Sequence, residues 1–290
     1  MKKLITVIGQ TSSGKSSLAI GLAKKFNGEI VSADSRQVYI GLDYCSGKVS
    51  KEEQAEVKHH LIDVVELKKP FTLYDFQKMA YASIDEIISK GKVPFLVGGT
   101  GLYSRSVIEG YSLSECTPDE NMRKALEEKS LDELIGLCKQ KNIQVPKEPT
   151  KRRLIRLLEN INHEKLPNSP RYEVLQLAIK FEREEIYNRI KLRLNARMPK
   201  MIEEIKNLIS CGVSKEFLRS LGLEAKFVTD YLDNKFSSFN EFFEELFKEE
   251  RHFAKRQDTW LKKEKNVVWL DGNGNLLEQA EDVVQKFLNS

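Results

Sequence analysis

The run Gly9-Gln10-Thr11-Ser12-Ser13-Gly14-Lys15-Ser16 fits the pattern G-x-x-x-x-G-K-[ST], a loop suited to holding phosphate. Its glycines permit the tight curl through which backbone N–H groups converge on phosphate oxygens. Lys15 adds a point charge, and the Ser16 hydroxyl can ligate Mg2+. Such a loop serves two kinds of chemistry. In a kinase or ATPase it grips phosphates while a nucleophile attacks phosphorus; in an alkylating enzyme it stabilises diphosphate as a leaving group while carbon is attacked. The loop alone leaves both open. Asp34 is a carboxylate able to accept a proton, although a lone Asp before a Ser more often serves as a turn or helix cap. His59 and His60 lack a Cys, Asp or Glu at a convincing spacing to complete a metal site, which favours a hydrogen-bonded structural role.

A phosphate loop needs a strand before it and a helix after it. Leu4–Ile8 is apolar and β-favouring, and within Ser16–Phe26 the residues Leu18, Ala19, Leu22 and Ala23 fall at helical spacing. Glu29–Ala33 reads as a second strand, Thr72–Ser89 as a helix opening at a Thr cap, and Val93–Val97 as a buried strand ending in Gly98-Gly99. Strands alternating with helices imply a parallel sheet that binds ligands at its C-terminal edge.

After about Tyr111 the pattern becomes helical, charged and amphipathic over Asp119–Lys129, Leu131–Lys141 and Thr150–Asn160, broken by Pro146 and Pro149. Pro167 and Pro170 mark the return to the core. Tyr172–Phe181 then reads as a strand, Glu182–Arg197 and Met201–Ile209 as helices separated near Pro199, Phe239–Leu261 as a long helix and Asn266–Leu270 as a late strand. The expected fold is α/β: a P-loop NTPase-like parallel sheet flanked by helices over residues 1–112 and 165–290, with a small all-helical insert over 113–164.

At 290 residues and 40% apolar composition the chain can bury a full core. No apolar run has the length of a membrane span, and the N-terminus runs directly into the glycine loop, so a cytoplasmic location is expected. Cys45, Cys116, Cys138 and Cys211 are scattered, as reduced structural thiols are. A net charge of +4 is too mild to indicate nucleic-acid binding by itself. Its clustering matters more: Lys151, Arg152, Arg153 and Arg156 form one basic face, and Arg251, Lys255, Arg256, Lys262 and Lys263 another, both suited to phosphate contacts.

Beyond the loop, Ile30-Val31-Ser32-Ala33-Asp34-Ser35-Arg36-Gln37-Val38-Tyr39, His59-His60-Leu61-Ile62-Asp63 and Leu96-Val97-Gly98-Gly99-Thr100-Gly101-Leu102-Tyr103 follow in order. Arg152-Arg153-Leu154-Ile155-Arg156, Tyr187-Asn188-Arg189-Ile190 leading to Arg193, and Ala254-Lys255-Arg256-Gln257-Asp258-Thr259-Trp260-Leu261 complete the set. Over nearly its whole length the chain resembles the tRNA dimethylallyltransferases, also called tRNA isopentenyltransferases.

That resemblance implies transfer of a dimethylallyl group from dimethylallyl diphosphate to the exocyclic N6 amine of the adenosine beside the anticodon in tRNA, with Mg2+ as cofactor. It implies that Asp34 is the general base, that Thr100 lies at the reaction centre with Lys15, and that the loop from Gly9 to Ser16, together with Arg189, holds diphosphate. Ser35, Arg36 and Gln37 would line the adenine side. Arg123, Arg152, Arg153, Leu154, Ile155, Arg156, Arg219, Arg256 and Gln257 fall at positions of the tRNA interface. The partner would be the anticodon stem-loop, met by a monomer, with the target adenine drawn from its stack into a channel.

Gln10 stands where the family carries proline, Ser16 where it carries threonine, and Leu223 where an aromatic follows glycine; the stretch Glu159–Arg171 is shortened. Three competing readings remain: an adenylate isopentenyltransferase acting on free nucleotide, a small-molecule kinase, and an inactive RNA-binding relative.

Overall fold

The computed structural model describes residues 1–113, 120–159 and 167–290. Cys116, Asp119, Asn160 and much of the shortened stretch lie outside the described residues. The described chain forms two compact units, residues 1–110 with 170–290, and residues 111–169.

The larger unit begins β1 (Lys2–Ile8), α1 (Lys15–Lys25), β2 (Gly28–Ser32), α2 (Lys51–Glu56), β3 (His59–His60), α3 (Leu73–Ser89), β4 (Val93–Gly98) and α4 (Gly101–Ile108). The smaller unit holds α5 (Glu120–Glu127), α6 (Leu131–Gln140) and α7 (Lys151–Glu159). The larger resumes with β5 (Tyr172–Lys180), α8 (Arg183–Ser210), α9 (Lys215–Ser220), α10 (Leu223–Leu232), α11 (Phe239–Leu261), β6 (Val267–Asp271) and α12 (Leu276–Asn289). Among the described residues the sheet has six strands in the order β3-β2-β4-β1-β5-β6. Every pair is parallel.

Side chains alternate across β1, so its two faces feed different cores. Ile5 and Val7 pack with Leu22, Phe95 and Leu177 in one cluster, and Leu4 joins Phe76, Ile84 and Leu96 in another. Each of these buried side chains contributes about 1.5–3 kcal/mol by leaving water. The phosphate loop therefore springs from a strand fixed on both faces and flanked by β4 and β5. Helix α3 opens at Thr72, whose hydroxyl accepts from the Asp75 amide while the Asp75 carboxylate accepts from the Thr72 amide.

One expectation fails at Pro199. The expected break is absent, and α8 runs unbroken from Arg183 to Ser210 with the proline inside it. An interior proline costs about 3 kcal/mol, but Ile186, Ile190, Leu194, Met198, Met201 and Ile205 form one buried stripe that stays in phase across it. Burying the second half of that stripe outweighs the lost backbone hydrogen bond.

Within the smaller unit, Leu126, Leu134, Cys138, Leu154, Ile155 and Leu158 make a core of their own. Cys45 and Cys138 are buried free thiols, and Cys211 is an exposed one. Among the described residues no helix is long and apolar enough to cross a membrane.

Candidate active site

The phosphate loop turns through Ser12 and Gly14, whose φ angles of 61° and 87° are left-handed. Gly14 caps α1 without any side-chain hydrogen bond, leaving the first amides of that helix for a ligand. A Cβ on Gly9 would lie 2.9 Å from the buried Ser13 hydroxyl, so a larger residue there requires that side chain to shift.

Three helical side chains fix the loop from outside. Gln257 accepts from the Thr11 amide at 2.7 Å and donates to the Gly99 carbonyl at 3.0 Å. Arg189 Nε donates to the Ser12 carbonyl at 2.9 Å. Arg193 donates to the Thr11 hydroxyl at 3.1 Å and the Gly47 carbonyl at 3.2 Å. Gln10 uses its side-chain amide to reach the Ala254 carbonyl at 3.0 Å, a bond that proline could not make.

The turn after β4 packs as closely. A Cβ on Gly98 would sit 2.2 Å from the Ala33 carbonyl oxygen, and one on Gly101 would sit 2.7 Å from the Trp260 ring. Thr100 caps α4 through its backbone alone, so its hydroxyl is left for the cavity. Asp34 is oriented by the amides of Arg36 and Gln37, which donate to Oδ1 at 2.8 and 3.4 Å; Oδ2 keeps its acceptor capacity.

A cavity of about 450 Å³ gathers Thr11, Lys15, Ser16, Asp34, Ser35, Arg36, Gln37, Thr100, Arg193, Arg256 and Gln257. A second cavity, of about 570 Å³, is lined by Ser12, Gly14, Lys15, Ser16, Arg189, Arg193 and Arg197. The two share Lys15, Ser16, Gly47, Val49 and Arg193, so the phosphate loop is reached from two sides. Lys15 has its pKa depressed to about 8, first by desolvation and then by Arg193, with Asp34 opposing.

Several residues assigned to the RNA face do other work. Gln257 is 3% exposed, serves as the clamp just described and borders the first cavity. Leu154 and Ile155 are buried in the core of the smaller unit. Arg219 donates to Asp230 at 2.7 Å and also to Asp233, which neutralises it. Arg123 makes a two-pronged bond to Glu159 at 2.7 and 2.8 Å. Arg251 stacks over Phe247 at 4.8 Å and Tyr187 at 5.5 Å. Arg152, Arg153 and Arg156 lie on the exposed face of α7, Arg156 with its guanidinium 3.5 Å from Glu159, and Arg36 and Arg256 line the first cavity beside Phe253 and Trp260. His60 Nε2 meets Glu29 at 2.7 Å and His59 Nδ1 the Val57 carbonyl at 2.7 Å, in keeping with structural roles. Among the described residues no group of His, Cys, Asp and Glu could hold a metal ion.

Glu224 and Glu250, also on the first cavity, escaped the sequence reading. The buried stripe of α11 runs Phe242, Phe243, Leu246, Phe247, Glu250, Ala254, Gln257, Leu261. A carboxylate and an amide in such a stripe were the available signal. Burial pushes the Glu250 carboxyl well above its ordinary range, and the charge and hydrogen bond of Glu224 push it further, against Arg197 and Arg193.

The sequence pattern of the family described as IPP transferase matches residues 37–264. The chain belongs to the IPP transferase family. Among its relatives, tRNA dimethylallyltransferase 2 of Treponema denticola is 40% identical, covering 91% of this chain and 93% of the relative. The tRNA dimethylallyltransferase of Streptococcus agalactiae is 38% identical over 99% of this chain and 98% of the relative. Of the solved structures, the tRNA isopentenylpyrophosphate transferase of Bacillus halodurans superposes with a TM-score of 0.76 at 33% identity, covering 100% of this chain and 96% of that one. A eukaryotic dimethylallyltransferase at 23% identity shares the fold, with a TM-score of 0.80. Parallel sheet, phosphate loop and helical unit are thus the fold of IPP transferases.

Proposed function

We propose that this member of the IPP transferase family transfers a dimethylallyl group from dimethylallyl diphosphate to the N6 amine of the adenosine beside the anticodon of tRNA. The observation that carries the reading is the meeting of Asp34 and Lys15 in the first cavity, with Lys15 also bordering the second. Diphosphate would lie on the loop amides, Lys15 and Arg193, with Arg189 bracing the loop; adenine would enter past Arg36, Phe253 and Arg256.

In the reaction, the adenine nitrogen forms a bond to the allylic carbon as the carbon–oxygen bond breaks. The electron pair leaves with diphosphate, and the amine proton passes to Asp34 Oδ2. Lys15 must be protonated for this work. Thr100, whose side chain makes no capping hydrogen bond, lines the same cavity.

Mg2+ would supply charge neutralisation on the departing diphosphate. Ser16, which lines both cavities and carries a hydroxyl, is the residue fitted to hold it. One hydroxyl without a carboxylate cage suits Mg2+, which keeps several waters and takes phosphate oxygens as ligands. The exposed arginines of α7 would meet the anticodon stem as phosphate contacts, and the protein would act as a monomer in the cytoplasm.

The test is incubation with Mg2+, dimethylallyl diphosphate and unmodified anticodon stem-loop RNA, followed by weighing the RNA. One added dimethylallyl group in place of a proton is expected. Transfer to AMP but not RNA would instead indicate the free-nucleotide enzyme, and phosphate transfer from ATP a kinase.

A further inference from the structure

Consecutive backbone N–H groups converge only where the chain curls, and a single carboxylate can then accept all of them. Glu204 on α8 does this. Its Oε1 accepts from the Asp43 and Tyr44 amides at 2.5 and 2.8 Å, and its Oε2 from the Cys45 amide at 2.8 Å. Two arginines of the same helix take carbonyls of the same turn: Arg197 donates to Tyr44, and Arg193 to Gly47 at 3.2 Å. Helix α8 thus grips residues 43–47 through their amides and their carbonyls alike.

Gly47 is where this turn meets the site. A Cβ there would lie 2.2 Å from Arg193 Nη2, so the guanidinium rests directly on the backbone. The Gly47 carbonyl also accepts from Gln37 at 3.3 Å. Arg193 Nη1 donates to the Thr11 hydroxyl at 3.1 Å, and Arg193 and Gly47 line both cavities. The guanidinium is therefore fixed at two points, one on the phosphate loop and one on the turn that Glu204 holds.

We propose that Glu204 is a positioning residue for Arg193: its carboxylate holds the turn over residues 43–47 so that the Gly47 carbonyl aims the guanidinium at diphosphate on the phosphate loop. The proposal rests on the reading of that loop as a diphosphate site. Glutamine at position 204 keeps the size of the side chain but puts an NH2 where one oxygen was, so at least one amide of the turn loses its acceptor and faces a donor. The turn then loosens, and Thr11 is left as the one firm anchor of Arg193. Charge alone acts in the opposite direction, because removing a negative charge near an anion site strengthens anion binding. The sign of the effect therefore separates positioning from plain electrostatics.

The experiment is calorimetric titration of the full chain with inorganic pyrophosphate, at fixed pH and salt, on wild type, Glu204→Gln, Arg193→Met and the double variant. Glu204→Gln should bind about tenfold more weakly than wild type, as when one charge-assisted hydrogen bond to the ligand is lost. In the Arg193→Met background the same substitution should change affinity by less than about twofold, because the group it positions is gone. Glu204→Asp keeps the charge and shortens the reach by one methylene; it should weaken binding in the same way and serves if Glu204→Gln fails to fold. Unchanged or tighter binding by a folded variant at Glu204 overturns the proposal alone, as does an equal loss with and without Arg193. No pyrophosphate binding by wild type removes the diphosphate reading, and the proposal with it.

Discussion

Gln257 accepts the Thr11 amide at 2.7 Å, so one side chain of α11 sets the position of the phosphate loop. The same amide group donates to Gly99, tying the loop after β1 to the turn after β4. Replacing Gln257 by alanine leaves a buried amide and carbonyl unpaired, which should cost about 1–3 kcal/mol of stability. Urea denaturation should show that loss, and calorimetry a drop in pyrophosphate affinity of about tenfold or more.

A methyl group on Gly99 would lie 2.6 Å from the Gln257 nitrogen. Gly99→Ala should therefore break the same clamp from the other side. Because the two changes disrupt one interaction, the double variant Gly99→Ala/Gln257→Ala should lose less stability than the sum of the singles. Full additivity in denaturation would mean that the clamp is not what ties the two segments together.

Lys15 gives a pH dependence whose sign differs between binding and stability. Its pKa falls from 10.5 to about 8 in the folded protein, so between those values the unfolded chain binds more protons. Stability of the ligand-free protein should rise as pH increases through that window. Pyrophosphate affinity should fall over the same range as the ammonium is lost. Lys15→Met should abolish the Lys15 contribution to both trends, which melting curves and calorimetry can follow.

Arg219 and Arg256 separate the two kinds of arginine in the chain. Arg219 is engaged by Asp230 and Asp233, whereas Arg256 is exposed at the cavity. Arg219→Ala should leave stem-loop RNA affinity within about twofold, while Arg256→Ala should weaken it and lower the salt slope by about 1. Binding measured at several salt concentrations distinguishes them.

The sheet and the loop were legible because their signals are local. Leu4–Ile8 followed by the glycine run, and Val93–Val97 followed by Gly98-Gly99, carry strand, turn and ligand site in contiguous residues. Asp34, Thr100 and the loop were likewise readable from ordered motifs. The role of Gln257 was not, because its partners lie 246 and 158 residues away in sequence. Pro199 misled for a related reason: local chemistry argues for a break, and only the tertiary burial of Met201 and Ile205 overrides it. Glu224 and Glu250 reach one cavity from α10 and α11, and Glu224 by itself looks like an ordinary first-turn residue.

Asp34→Asn keeps the oxygen that receives the Arg36 amide and removes only the capacity to take up a proton. Single-turnover transfer of the dimethylallyl group to anticodon stem-loop RNA, measured beside RNA affinity, is therefore the most direct test of the chemistry. The account predicts a rate lower by about 10²–10⁴-fold with RNA affinity nearly unchanged. Transfer at the wild-type rate by folded Asp34→Asn would contradict it.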